Sequence, residues 1–501
     1  MKAKVNPTLY QINTRTWMNE LSRKLGRPVT LSDVDDEFID SLVARGFDWL
    51  WPLGVWQTGL VGRSVSRSNP QWVDEFRSVL PDISPQDITG SPFAIRAYRV
   101  HEDFGGNAAL AQLRMRLKRR GIRLLLDFVP NHTARDHYWV TTHPEYYVDG
   151  DEADLEREPH NYARVQTVSG SRVFAFGRDP YFPGWPDTFQ LNYRESACRK
   201  AMAEELRAVS TLCDGVRCDM AMLLLPDVIC RTWGARALPA DGSPAIDTPF
   251  WPEAIAGVRE QKPNFLFMAE VYWDREWDLQ RQGFDYTYDK RLYDRLCSRN
   301  IDSVRSHLLA DPEFQSRSVR FLENHDEPRA SATFPRDILR AANVIACAVP
   351  GLRFFYEGQL EGRRRRVPMH LGRRPDEPVD VDALKFYERL LQIIKRPVLR
   401  QGRWRMLTSD AAWVGNPTAH DVLAFSWELN GDRVLVAVNY ADTRAQCYVR
   451  LPWSDLSGRK LSFRDQLSDA KYDRAGEELQ ARGLYLDVPA WQTHIFEVAQ
   501  G

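Results

Sequence analysis

The strongest constraint in this chain is an alternation. Between residues 8 and 356, short apolar runs recur eight times, separated by stretches with helical periodicity. The runs are Leu9–Ile12, Trp49–Trp56, Ile122–Phe128, Gly215–Met220, Phe265–Val271, Phe284–Tyr288, Val319–Leu322 and Leu352–Tyr356. The clearest unit spans 107–128. Asn107 is a candidate cap for a helix that places Leu110, Leu113 and Leu117 on one face. The basic run Lys118-Arg119-Arg120 suits the negative end of that helix, and Gly121 supplies its stop. The apolar run that follows reads as a strand buried on both faces. Eight such strands alternating with helices predict an α/β fold, a (β/α)8 TIM barrel. A doubly wound sheet is the competing fold, but the Gly-rich turn expected after its first strand is missing here.

Two connections are too long for simple loops, 57–106 and 133–192. The second is rich in Pro, Gly, Tyr and Asp, and is expected to form an irregular inserted subdomain after strand three. From 399 to 501 the pattern changes to short strands with turn residues between them, which predicts a C-terminal antiparallel β-sandwich. The expected domains are therefore a barrel (1–132 and 193–398), an insertion (133–192) and a sandwich (399–501).

Composition narrows the partners. The 501 residues carry 67 Lys+Arg against 68 Asp+Glu, so the basic excess of a nucleic-acid or membrane-surface binder is missing. No run approaches the ~18 apolar residues of a membrane span. The start, MKAKVNPTLYQINTR, lacks the apolar segment of a secretory signal. The seven Cys have neither paired nor zinc-like spacing and read as reduced thiols, so a cytoplasmic location is expected. The chain also holds 16 Trp, 18 Tyr and 23 Phe, which either fill a core or stack on sugars.

In such barrels chemistry sits at the C-terminal ends of the strands. Strand three ends in Asp127, followed by Asn131-His132. Strand four places Arg217 and Asp219 two apart, hence on one face. Strand five ends in Glu270 and strand seven in Asn324-His325-Asp326. Acidic residues at strand ends are usually caps or solvated turns. Three converging carboxylates repel one another, however, and that arrangement costs stability unless it serves function. Carboxylates with one Arg and two His, and no metal cluster, suit glycoside chemistry. One carboxylate acts as nucleophile and a second, with a raised pKa, as proton donor.

At these residues the chain resembles the α-amylase superfamily of retaining α-glycoside hydrolases and transglycosidases. Asp127-Phe128-Val129-Pro130-Asn131-His132, Gly215-Val216-Arg217-Cys218-Asp219, Glu270 and Asn324-His325-Asp326 match its four motifs in order. The resemblance implies Asp219 as nucleophile, Glu270 as acid/base and Asp326 as the residue that binds sugar hydroxyls and favours the distorted ring. Arg217, His132 and His325 would complete the −1 subsite, and Asp127 would brace Arg217 from behind. By spacing, Phe93 falls where the family stacks a Tyr on the −1 sugar, with Tyr98 close by. The implied substrate is a small α-glucoside or oligosaccharide, with neither nucleic acid nor membrane as partner.

Departures bear on specificity. Met222 and Leu223 stand where many α-amylases carry Lys-His, so the usual structural calcium site looks incomplete and no cofactor is expected. Asn324-His325-Asp326-Glu327-Pro328-Arg329 resembles the pattern of exo-acting α-glucosidases, in which Arg329 would touch the −1 sugar and short α-glucosides would be favoured. Arg363–Arg366 with Arg373-Arg374 is a solvated face or, in the sharper reading, an anion site. Trp51, Trp56, Trp139, Trp185, Tyr272 and Trp273 are candidates to line sugar subsites. A phosphorylase, an isomerase and a non-catalytic scaffold stay open as alternatives.

Overall fold

The computed structural model describes residues 6–168, 170–239 and 242–500. The eight apolar runs form one closed parallel barrel. Its strands are β1 (Thr8–Asn13), β2 (Trp49–Leu53), β3 (Arg123–Phe128), β4 (Gly215–Cys218), β5 (Leu266–Ala269), β6 (Tyr286–Tyr288), β7 (Ser318–Arg320) and β8 (Leu352–Tyr356). Each strand pairs with its neighbours in sequence, and β8 closes on β1 with Leu9 opposite Phe354. The apolar strands are buried on both faces because helices cover the outside of the barrel.

Local chemistry sets where elements start and stop. The run from Trp49 breaks at Gly54, whose φ is +75° and whose added Cβ would lie 2.6 Å from Pro92 Cβ. Beyond it, Trp56–Thr58 pairs antiparallel with Ile95–Val100 as a separate ribbon. The helix expected after Asn107 instead begins at Gly106. Asn107 Oδ1 accepts from the Val100 N–H, so Asn107 ties the helix to that ribbon rather than capping it. Gly121 ends the unit with φ +78°, as expected.

The connection after β3 carries a three-stranded antiparallel sheet formed by Asp149–Gly150, Tyr162–Thr167 and Gly170–Ala175. It returns to the barrel where Thr188–Gln190 pairs with His132–Ala134. This pairing places the insertion directly over the mouth at His132. Beyond the helix Pro397–Gln401, two antiparallel sheets of six and three strands pack as a sandwich. Among the described residues no helix is long and apolar enough to cross a membrane.

Buried hydrogen bonds help fasten the sandwich to the barrel. The Trp427 indole donates to the Ala348 carbonyl (2.7 Å), and the Tyr440 hydroxyl donates to the Leu296 carbonyl (2.8 Å). Trp427 is buried, so Trp427→Phe leaves a buried carbonyl unpaired. The expected cost is about 1–3 kcal/mol, read as a lower urea midpoint with unchanged activity per folded molecule.

Candidate active site

Arg217 and Asp219 leave β4 on one face. The Arg217 guanidinium is fully buried and divides its two arms between two carboxylates. Nη1 donates to Asp219 Oδ1 at 2.5 Å, and Nη2 lies 2.8 Å from Glu270 Oε2. Its plane sits among three rings, Phe93 at 5.3 Å, Trp51 at 5.4 Å and Tyr288 at 5.9 Å. These walls keep water from the charge and fix its orientation.

Glu270 is held at both oxygens. Oε1 accepts from the Tyr272 hydroxyl (2.9 Å) and Oε2 from the Met220 N–H (2.7 Å). Met220 can aim that N–H because it adopts a left-handed conformation, φ +41°, at the end of β4. Trp273 and Asp274, just beyond Glu270, are also left-handed at φ +64° and +62°. Strain of this kind gathers at functional sites, where the surroundings enforce it. Burial pushes the Glu270 carboxyl up to about 8. Arg217 opposes this shift, and the charges of Asp219 and Asp326 add to it.

Asp326 closes the group. Its backbone N–H and that of Glu327 donate to Asn324 Oδ1 (2.8 and 2.9 Å), a turn that presents the carboxylate to the mouth. The Asp326 side chain is 39% exposed, with Oδ2 3.1 Å from His325 Nε2. The other His325 nitrogen meets Gln11 Nε2 at 2.9 Å. Burial holds His325 well below its ordinary pKa and pushes His132 down to about 4, so both are neutral near pH 7. His132 packs against Trp185 at 5.1 Å, and Phe93 lies 5.7 Å from the His325 ring. The structure thus brings Asp219, Glu270, Asp326, Arg217, His132, His325 and Phe93 together.

Three expected site residues serve otherwise. Asp127 does not hydrogen-bond Arg217. Its carboxylate accepts from the Trp51 indole (3.1 Å) and the Gly54 N–H (2.9 Å), so it braces Arg217 only through the Trp51 ring. Burial raises Asp127 to about 6, against the pull of Arg217. The Tyr98 hydroxyl is taken up by the Val129 backbone, donating to its carbonyl and accepting from its N–H, and its ring stacks on Phe128. Arg329 is 2% exposed and donates to Glu323 Oε1 (2.7 Å) and the Glu357 carbonyl (2.6 Å). These partners are protein groups rather than groups that face the sugar site.

Other expectations are redistributed too. Trp51, Trp56 and Trp139 are core, whereas Trp185, Tyr272 and Trp273 stay half-exposed at the mouth. The exposed Tyr181 packs edge-on to Trp273 (5.0 Å), with Arg231 over both rings. The sequence offers no motif for that cluster. Half of the arginines in the run are paired with carboxylates: Arg366 with Glu75, Arg373 with Asp82 and Asp87, and Arg374 with Glu20 and Glu357. Arg364 donates to the Ser331 carbonyl. The residues do not fit the structural calcium site that the resemblance implies. Asn131 Oδ1 accepts from Gln190 Nε2 (2.9 Å), and Met222 and Leu223 are buried apolar groups.

A family model described as "Alpha amylase, catalytic domain" matches residues 93–377, more than half of the chain. "Alpha-amylase MalA" of Haloarcula japonica is 25% identical over 367 residues, covering 72% of this chain and 44% of the relative. "Maltase 1" of Drosophila virilis is 22% identical over 426 residues, covering 72% and 61%. The chain therefore spans about half the length of these relatives. The crystal structure of a maltogenic α-amylase, AmyB from Thermotoga neapolitana, superposes with a TM-score of 0.69 at 18% identity over the whole of both chains.

The Arg329–Glu323 pair gives a test of role. Arg329→Met strands a buried carboxylate, for an expected cost of about 3–5 kcal/mol, with KM unchanged. A several-fold rise in KM at unaltered stability would return Arg329 to the sugar.

Proposed function

The chain belongs to the α-amylase family, and on that premise we propose that it hydrolyses or transfers α-glucosidic bonds by double displacement. Asp219 attacks the anomeric carbon and forms a covalent glycosyl-enzyme with inversion. Glu270 protonates the departing oxygen, then takes a proton from the incoming water or sugar hydroxyl. That second attack inverts again, so the α configuration is retained. Asp326 binds ring hydroxyls, while the neutral His132 and His325 donate hydrogen bonds that strengthen as charge develops.

The observation that carries this reading is the single guanidinium shared by Asp219 and Glu270. Two carboxylates on adjacent arms of one Arg stand close together. That suits the ~5–5.5 Å spacing of retaining enzymes better than the ~6.5–9.5 Å of inverting ones, which must admit a water. Arg217 keeps the nucleophile oriented, while burial and neighbouring negative charge keep the proton on Glu270. We further propose short α-glucosides as substrates. The maltase among the relatives supports this, whereas Arg329 no longer does.

Time-resolved product analysis on maltose, isomaltose, sucrose, trehalose, maltooligosaccharides and starch separates linkage, chain length, and hydrolysis from transfer. Asp219→Asn is expected to lower kcat at least about a thousandfold. Activity surviving in a folded, uncontaminated sample would remove Asp219 from the role. Glu270 must carry its proton to act as acid. With its pKa raised to about 8, that proton is present below pH 8 and lost above it. The kcat/KM profile should therefore fall on the alkaline side with a midpoint near 8, and Glu270→Gln should abolish that limb along with most of the rate.

A further inference from the structure

A second charged recess lies on the same end of the barrel, just outside the sugar site. It is a cavity of about 360 Å³ between the helix that follows β1 and the long connection after β2. Arg15, in the first turn of that helix, is a wall of it and is 9% exposed. Its guanidinium donates to Thr89 Oγ1 (2.9 Å), Thr58 Oγ1 (3.1 Å) and the Gly90 carbonyl. All three are neutral oxygens, and no carboxylate pairs with Arg15 among the described residues. A second guanidinium, that of Arg63, lines the same cavity. Arg63 Nε is enclosed and has no hydrogen-bond partner there.

Two arginines facing one recess, with no carboxylate in ion-pair contact with either among the described residues, is a costly arrangement. A buried cation is ordinarily paired, because unpaired burial sacrifices hydration without compensation. Elsewhere in this chain the buried Arg217 and Arg329 have carboxylate partners, whereas the buried Arg353 is held by the Asn6, Ile394 and Leu399 carbonyls. Burial and the neighbouring Arg63 lower Arg15 to about 10, against the pull of Asp103. The carboxylates near the recess do not fill that gap. Asp87 is taken by Arg373 and by the backbone and hydroxyl of Ser84. The Asp103 side chain is 78% exposed at the rim, 3.5 Å from His101.

We propose that this recess binds a phosphate-class oxyanion, with Arg15 and Arg63 as its paired donors. A tetrahedral oxyanion offers acceptors to two forks at once, which one carboxylate could not do as well. Thr58 Oγ1 accepts from Arg15 and keeps its own proton for the anion. The volume exceeds that of a bare phosphate, so the group is either free phosphate or the phosphoryl end of a sugar phosphate. The site is separate from the catalytic carboxylates but linked to them along the chain. Gly90, which accepts from Arg15, stands three residues before Phe93, whose ring walls Arg217.

The test is calorimetric titration of the full chain at constant chloride with inorganic phosphate, with glucose 6-phosphate and with glucose. Phosphate is expected to bind one to one, tighter than about 1 mM. Tighter binding of the ester than of free phosphate assigns the sugar phosphate as ligand, and the reverse assigns the free ion. Arg63→Gln should weaken either at least about tenfold, with the thermal midpoint and the phosphate-free rate on α-glucosides unchanged. Thr58→Val should weaken binding by a smaller factor. If phosphate and its ester both fail to bind, or bind Arg63→Gln as they bind the parent, the proposal falls and Arg15 is a clamp on Thr58, Thr89 and Gly90.

Discussion

The site depends on one buried guanidinium. Without Arg217, Asp219 and Glu270 would be two desolvated carboxylates side by side, with Asp326 adding a third negative charge. Burial alone would then favour protonating more than one of them, and the nucleophile would be lost. Arg217 offsets that repulsion with a planar fork whose two arms separate the carboxylates and fix their directions. A lysine would give the charge without the geometry. Three carboxylates still outnumber one guanidinium, and the proton retained on Glu270 removes part of that excess.

Everything around Arg217 limits its freedom. Trp51 lies under it, and Asp127 holds the Trp51 indole. Asp127 thus acts at one remove, through a ring, while its second oxygen secures the tight turn at Gly54. On the other side, the left-handed Met220 directs an N–H at Glu270, and two further left-handed residues follow Glu270 in the chain. Unfavourable backbone at the ends of β4 and β5 is tolerated because both strands are anchored in a barrel paired all round. The strain is local and the restraint is global, which lets a rigid scaffold hold a carboxyl in an otherwise uncommon place.

The barrel is legible in the sequence because parallel strands buried on both faces leave long apolar runs, and polar residues ending such runs stand out. Asp219, Glu270 and Asp326 are visible for that reason. What the sequence hides is partnership. Period two places Arg217 and Asp219 on one face, but it does not reveal that Asp127 directs its oxygens to Trp51 and Gly54. Nothing in the sequence ties Tyr98 to the Val129 backbone, because a tyrosine near the mouth looks alike whether its hydroxyl faces sugar or main chain. Arg329 has the same difficulty. Its partner, Glu323, is an inconspicuous member of an apolar strand end, and only the fold shows that the pair closes on itself. Asn107 looks like a cap because its distance from the Val100 N–H is tertiary information.

Arginine density along the chain is the least reliable signal. Arg363–Arg366 and Arg373-Arg374 are conspicuous in sequence, yet Arg366, Arg373 and Arg374 meet carboxylates brought from distant segments such as Glu20, Glu75 and Asp87. A run of like charge must find counter-charges or solvent to fold at all, so its density predicts pairing as readily as binding. Arg15 and Arg63 are solitary in sequence and carry no such obligation. The fold brings them to one recess and gives them only neutral oxygens or nothing. Available charge in a folded protein is a difference between donors gathered and acceptors supplied. That difference is positive where the β1 and β2 connections meet, and negative at the catalytic carboxylates, where one guanidinium serves three acids.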